Sequence, residues 1–136
     1  MENHPNIHEY FKKVAEKLEG MAMEYTNEMG IISLRLSNGR SQNVRGFFKQ
    51  KSDHLVLKLN SKVCSLDEYQ NIDFKMITER NNKLNEAKAV IHQDHLEIAA
   101  TCLFSDAYFD HTCSLILDIA QAADLLEEEI TGKDEN

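Results

Sequence analysis

The sequence predicts an α+β domain in which a five-stranded, mostly antiparallel sheet carries its helices mainly on one face. Apolar residues recur at helical spacing in three segments and alternate with polar residues in five others. The expected order along the chain is αβββαββα. No segment rich in Gly, Ser or Pro divides the 136 residues, so residues 1–136 are expected to form one domain with a frayed tail at 131–136.

The first helix is expected between Asn6 and Gly20. Gly20 is a suitable residue for ending it, and the apolar residues form one stripe: Ile7, Tyr10, Phe11, Val14 and Leu18. The stretch from Met21 to Met29 is ambiguous and could hold a short edge strand.

Three strands are expected to follow as a meander. The pair Asn38-Gly39 tolerates the positive φ angles of a type I′ turn and is flanked by alternating residues, which predicts a hairpin. Its strands cover Ile32 to Leu36 and Ser41 to Gln50, and a third strand around Leu55 to Asn60 follows a polar turn. The residues expected to be buried under the helices are Leu34, Val44, Phe48 and Leu57, with Ile98 from a later strand.

A helix, a hairpin and a long helix are expected in the second half. Ser65 and Glu68 have the spacing of a capping box, so the middle helix is predicted to begin at Ser65 and to weaken at Asn81-Asn82. The remaining elements are two strands, Glu86 to His92 and His95 to Phe104, and a final helix from Ser105 or Asp106 to about Ile130.

Charge is unevenly distributed along the chain. The formal net charge is −8, but residues 35–62 hold seven basic residues and one acid, whereas residues 94–136 hold eleven acids and one base. Strand alternation places four cations and one aromatic ring on the exposed face of the sheet. The candidate binding residues are therefore Arg35, Arg45, Phe47, Lys49 and Lys58, and all are expected to be exposed.

Three interpretations of this basic face are open. It is an ordinary solvated surface, a protein-binding surface, or a surface for single-stranded nucleic acid, which uses aromatic rings among cations. Because the chain is net acidic and places a single aromatic on this face, nucleic acid is the less favoured partner.

No catalytic residue, metal site or cofactor is expected. His92 and His95 flank a turn, but with Asp94 as the near acid they do not supply a full set of zinc ligands. Helical geometry separates His111 from Cys113 by about 160° around the axis, which keeps a possible base away from the thiol. The glycines form no phosphate-binding loop.

The three cysteines lack paired spacing and are expected to be free thiols in a reducing cytoplasm. No apolar stretch approaches the ~18 residues that cross a bilayer, and the first residues are too polar for a secretory signal. We therefore expect a cytoplasmic protein without a membrane partner.

The predicted order, with the polar helix end at 79–85 (ERNNKLN), the hairpin at Gln93-Asp94, the strand at 95–100 (HLEIAA) and the long closing helix, resembles the type III secretion chaperones and the YbjN-like proteins, which are bacterial. The resemblance covers most of the chain and rests on pattern and order. It implies a non-enzymatic dimer, and for the secretion chaperones an extended segment of a partner held across the sheet and first helix.

The broad apolar stripes of the second and third helices also favour a homodimer. Together these observations predict a chaperone-like or regulatory homodimer that binds an unidentified protein or peptide segment. The alternative is a nucleic-acid-binding accessory domain that uses the basic face of residues 31–62.

Overall fold

The computed structural model describes residues 5–69 and 72–131 and confirms the α+β class. Three α-helices in these ranges are α1 Ile7–Leu18, α2 Phe74–Lys83 and α3 Phe109–Thr131. The strands are β1 Met21–Glu24, β2 Gly30–Arg35, β3 Ser41–Lys51, β4 His54–Ser65, β5 Lys88–His92 and β6 His95–Leu103. The tail beyond Thr131 lies outside the described residues.

All six strands pair antiparallel in the order β1-β2-β3-β4-β6-β5, and the helices pack on one side of the sheet, as expected. The predicted number of five strands is wrong by one. The ambiguous segment after α1 forms β1, in which Met23 lies opposite Ile31 of β2. A strand of four residues at an edge carries too short an alternation to be assigned from sequence.

The first helix begins where the sequence predicts and ends differently. The side chain of Asn6 accepts hydrogen bonds from the backbone N–H groups of His8 (2.8 Å) and Glu9 (3.3 Å). The left-handed residue after α1 is Glu19 (φ 58°), not Gly20. Gly20 allows the backbone after α1 to lie close to β2, because a Cβ at this position would be only 2.6 Å from a methyl group of Leu34. The chain can therefore pass directly from α1 into β1.

The turn between β2 and β3 is not the type I′ turn predicted for Asn38-Gly39. Only Gly39 of the pair has a positive φ (88°), and its N–H bonds to the carbonyl of Leu36 at 2.9 Å. The side chain of Asn38 explains the difference: Oδ1 accepts the N–H of Arg40 (2.9 Å), and Nδ2 donates to Oδ2 of Asp124 on α3 (2.9 Å). A tertiary contact thus selects a longer loop.

The predicted start of the middle helix at Ser65 is wrong. Ser65 is the last residue of β4, and the next residue, Leu66, donates its N–H to the carbonyl of Asp94 in the β5–β6 turn at 2.9 Å. Helix α2 begins at Phe74, capped by the side chain of Asp73. The sheet therefore keeps the chain extended past the capping-box pattern.

The core lies between the inner face of the sheet and helices α1 and α3. Phe11 of α1 is fully buried and packs over two glycines that face each other across strands, Gly30 and Gly46. A Cβ at Gly46 would lie only 2.5 Å from Cζ of Phe11, so the ring occupies the space that a side chain would need. The helix approaches the sheet closely because these residues are glycines.

The predicted inner face is confirmed for Leu34, Val44, Leu57 and Ile98, which are buried. Phe48 points to the same side but is only half-buried, in the last third of β3. There it makes an edge-to-face contact with Phe104, with ring centroids 4.8 Å apart.

Within the described ranges, no helix combines the length and the apolar character that a membrane crossing requires.

Candidate binding surface on the sheet

The outer face is the sheet surface opposite α1 and α3, and strand register arranges its side chains in rows. The central rows, read from β3 through β4 to β6, are Arg45-Asn60-Ala99, Phe47-Lys58-Thr101 and Lys49-Val56-Leu103. The structure therefore brings Phe47, Lys49 and Lys58 together. Arg35 lies apart from them, because it pairs with Ser41, about 20 Å along β3 from Phe47.

Arg45 is held by other residues of the sheet. Its Nε and one terminal nitrogen donate to Oδ1 of Asn60 at 3.0 and 2.7 Å, and that terminal nitrogen lies 3.4 Å from Oε2 of Glu97. Glu97 is only 5% exposed, so its charge requires a counter-charge at this position. The prediction that Arg45 is exposed is therefore wrong: its side chain is 20% exposed and is committed to the protein itself.

Among the other predicted residues, Arg35 and Lys49 are exposed, as expected, whereas Phe47 and Lys58 are half-buried. Phe47 and Lys58 face each other across β3 and β4, so each shields part of the other's surface. The ring of Phe47 presents a partial apolar surface to solvent.

Most cations on the outer face have no acidic partner among the described residues. Five cations of residues 35–62 form no ion pair with any described residue: Arg35, Lys49, Lys51, Lys58 and Lys62. Glu97, which lies opposite Lys62 on this face, pairs with Arg45. In a chain of net charge −8 this surface is a local basic region.

Strand β1 gives the sheet an open edge. The N–H of Tyr25 bonds to the carbonyl of Met29 at 3.0 Å, so hydrogen-bond alternation directs the backbone groups of Ala22 and Glu24 away from β2. Met21 is 65% exposed, and Met23 and Tyr25 are exposed as well. The sequence left a short edge strand open for Met21 to Met29, and the large side chains at every second position from 21 to 25 agree with the strand that forms there.

The opposite edge, β5, is closed by α2. The side chain of Asn81 accepts the N–H of Ala89 at 2.7 Å and donates to its carbonyl at 3.2 Å, as a neighbouring strand would. Lys88 adds hydrogen bonds to the carbonyls of Asn81 (2.8 Å) and Leu84 (2.7 Å). The two edges of the sheet are therefore chemically different.

A cleft of about 480 Å³ lies beside the open edge. Its walls combine the larger apolar groups of Tyr25 and Ile31 with polar side chains, two cations and one acid: Ser41, Gln42, Asn43, Arg45, Lys62 and Glu127. The cleft connects the edge strand to the basic rows of the outer face.

Among the described residues, the thiols and histidines do not assemble into a reactive site. Burial raises the pKa of Cys64, Cys102 and Cys113, which keeps these thiols protonated near neutral pH. His111 pairs with Glu86 at 2.8 Å rather than with a thiol.

The histidines of the β5–β6 turn are also separate from any ligand cluster. The nearest acid to His92 is Glu97, at 3.8 Å. Among residues 5–69 and 72–131, no group of three His, Cys, Asp or Glu side chains is placed to hold a metal ion.

Comparison with known proteins supports the fold. No family model and no curated protein matches the chain. A chain from the crystal structure of the ExsC–ExsE complex matches with a TM-score of 0.55 and 14% sequence identity, covering 91% of this chain and 92% of that chain. This chain therefore shares the fold of that chain. At 14% identity the likeness concerns the fold alone.

Proposed function

We propose that this protein is a non-enzymatic binding module, chaperone-like or regulatory, that takes an extended protein or peptide segment. The observation that carries the proposal is the open edge at β1, which lies two strands from β3 and its half-buried Phe47, with the cleft of Tyr25, Ile31 and Arg45 next to it. An extended segment gains affinity from main-chain hydrogen bonds at such an edge and specificity from contacts of alternate side chains.

The comparisons are consistent with this role. One solved structure of similar fold is that of the ExsC–ExsE complex. The sequence resemblance to secretion chaperones implies the same kind of partner. The free thiols and the fold agree with a cytoplasmic location, which is part of the proposal.

The protein acts as a homodimer in this proposal. Towards the β5 end of the sheet, far from β1, large apolar side chains are exposed on three elements: Phe74 of α2, Val90 and Ile91 of β5 and Leu125 of α3. Exposed apolar groups on neighbouring elements are typical of a protein interface. The other edge, β1, then remains free for the partner.

A proline at the edge tests the mode of binding. Glu24 is exposed and its N–H points away from β2, so Glu24→Pro removes one outward donor at a position where an edge strand tolerates proline. Glu24→Ala is the matched control, because it removes the same carboxylate and keeps the N–H. The partner is first captured with the native protein and identified by mass spectrometry, and its affinity is then measured for both variants.

We expect Glu24→Pro to weaken binding by about five-fold or more, which corresponds to one lost backbone hydrogen bond. Phe47→Ala is expected to weaken it by about ten-fold, and Lys49→Ala to act mainly on the association rate and its salt dependence. Equal affinity of Glu24→Pro, Glu24→Ala and Phe47→Ala would refute strand addition at this surface.

Nucleic acid remains a second candidate, because five cations of this region are unpaired among the described residues. The two candidates differ in salt dependence. Phosphate contacts make affinity fall steeply with ionic strength, whereas strand addition depends on it weakly.

A further inference from the structure

The open edge at β1 offers a short and well-defined set of backbone groups. Ala22 and Glu24 are the residues of β1 whose backbone groups point away from β2. At the ends of the strand the next donors are already bonded: the N–H of Gly20 bonds back into α1 at 2.9 Å, and that of Thr26 bonds within the following turn at 3.0 Å. The carbonyl of Thr26 also lies 2.8 Å from Nε2 of His8. A strand added here therefore bonds to Ala22 and Glu24.

These limits select one register for pairing with a second copy of the chain. A copy related by a two-fold axis runs antiparallel, and the residue on the axis sets the register. With the axis at Met23, Ala22 of each copy exchanges both backbone hydrogen bonds with Glu24 of the other, and every outward group is satisfied. An axis at Ala22 sets Glu24 against Gly20, whose N–H is already bonded. An axis at Glu24 sets Ala22 against Thr26 and puts two carboxylates directly opposite each other.

The side chains match in the same register. Met21, Met23 and Tyr25 lie on the outer face and are 65%, 41% and 59% exposed. With the axis at Met23, the two Met23 side chains meet, and Met21 of each copy meets Tyr25 of the other, a favourable contact between a thioether and an aromatic ring. On the inner face Glu24 lies beside Ala22 of the second copy, so like charges are not directly opposed.

From this match we infer that, when no partner is bound, β1 pairs antiparallel with β1 of a second copy about a two-fold axis at Met23. The pair uses the edge that the proposed dimer leaves free. Its role as a competitor of the partner rests on the proposed function, whereas the pairing itself rests on the open edge. A strand of four residues buries far less than the ~1,600 Å² of a standard interface, so the pair forms above the micromolar range and a bound segment displaces it.

A cysteine at the axis tests the register. Residues opposite each other in a non-hydrogen-bonded antiparallel pair have Cα atoms about 4.5 Å apart, within the range of a disulfide, so Met23→Cys should cross-link two copies. Met21→Cys is the matched control, because the two residues at position 21 lie four positions apart along the strand, about 13 Å, which is too far to bridge. Both variants and the native protein, which reports disulfides of its own cysteines, are held well above micromolar concentration in a glutathione redox buffer. Non-reducing electrophoresis follows the interchain disulfides.

We expect Met23→Cys to cross-link at least about ten-fold faster than Met21→Cys, because the pair holds its thiols together. Exposure alone predicts the reverse order, since Met21 is 65% exposed and Met23 41%. Rates that follow exposure, or a rate for Met23→Cys equal to that of the native protein, would overturn the inference.

Light scattering at the same concentration gives a second measurement without a disulfide. Met23→Lys places two like charges opposite each other and should lower the association beyond the dimer that the native protein shows. An equimolar mixture of Met23→Lys and Met23→Glu should restore it, because opposite charges then meet at the axis. Equal association of the native protein, Met23→Lys and the mixture would contradict pairing at Met23.

The outcome for the proposed function is separate. If Met23→Cys cross-links no faster than Met21→Cys while Glu24→Pro weakens the captured partner, self-pairing fails and strand addition by the partner stands. If Met23→Cys cross-links faster but Glu24→Pro leaves the partner's affinity unchanged, self-pairing stands and the partner's site lies elsewhere.

Discussion

A single methyl group at Gly46 tests how closely α1 packs on the sheet. The Cβ of Gly46→Ala would lie 2.5 Å from Cζ of Phe11 and 3.0 Å from Cδ2 of Leu59. Carbon atoms in good contact are about 3.5–4.0 Å apart, so the ring would have to move by roughly 1 Å. Phe11 has no exposed surface, and such a shift requires α1 to separate from the sheet.

Overpacking of this kind costs about 1–3 kcal/mol. Replacing glycine in a strand returns up to about 1 kcal/mol, because the unfolded chain loses freedom. We therefore expect Gly46→Ala to lower the free energy of unfolding by about 1–2 kcal/mol. The chain has no Trp, so urea unfolding is best followed by far-ultraviolet circular dichroism.

A double-mutant cycle separates the clash from other effects of the substitution. Phe11→Leu shortens the side chain that meets the new Cβ. In that background Gly46→Ala should cost about 1 kcal/mol less than in the native protein, since directly contacting residues couple by 0.5–3 kcal/mol. The same cost in both backgrounds would refute the close packing of Phe11 over Gly46.

Three further outcomes are expected. Asn81→Ala exposes the N–H and carbonyl of Ala89 and should increase higher-order association, measured by light scattering against the native protein. Burial first, and then the charge of Asp124, raise the pKa of Glu127 above its ordinary value of 4.5, while Arg40 lowers it. The folded state then binds more protons, so this group's contribution to stability falls as pH rises from about 4.5 through the folded pKa. Glu127→Gln should therefore raise the melting temperature more at pH 7 than at pH 4, and an equal change at both would contradict the burial effect. Sedimentation at micromolar concentration should give about twice the 15.6 kDa chain mass, and a monomeric mass would remove the dimer from the proposal.

Alternation predicted the faces of β3 and β4 because adjacent residues there differ strongly in polarity. It placed Val44 inside and Lys49 outside without knowledge of the neighbouring strands. The pair Arg45–Glu97 could not be predicted in this way. Its partners are far apart in sequence and meet only because β6 lies between β4 and β5, a strand order that local pattern does not encode.

The helix start shows the same limit. Ser65 has the sequence of a helix cap, but its backbone pairs with His95 and its hydroxyl accepts the N–H of Asp67. The Ser65 side chain therefore stabilises a turn instead of a helix start, and the pairing with β6 determines the path of the backbone. The binding residues were predicted as a set from strand alternation, which does not report how far along the sheet each lies. Arg35 is therefore on the right face but far from Phe47.

The difference between the two sheet edges limits how the protein can polymerise. A sheet open at both edges can add copies without end, whereas closure of β5 by Asn81 leaves one edge for addition. Two copies that joined through β1 would use up the open edge of each, so strand addition would stop at that pair. Such a pair would also exclude a peptide from that edge, so self-pairing at β1 and partner binding would be mutually exclusive, with one segment per protomer.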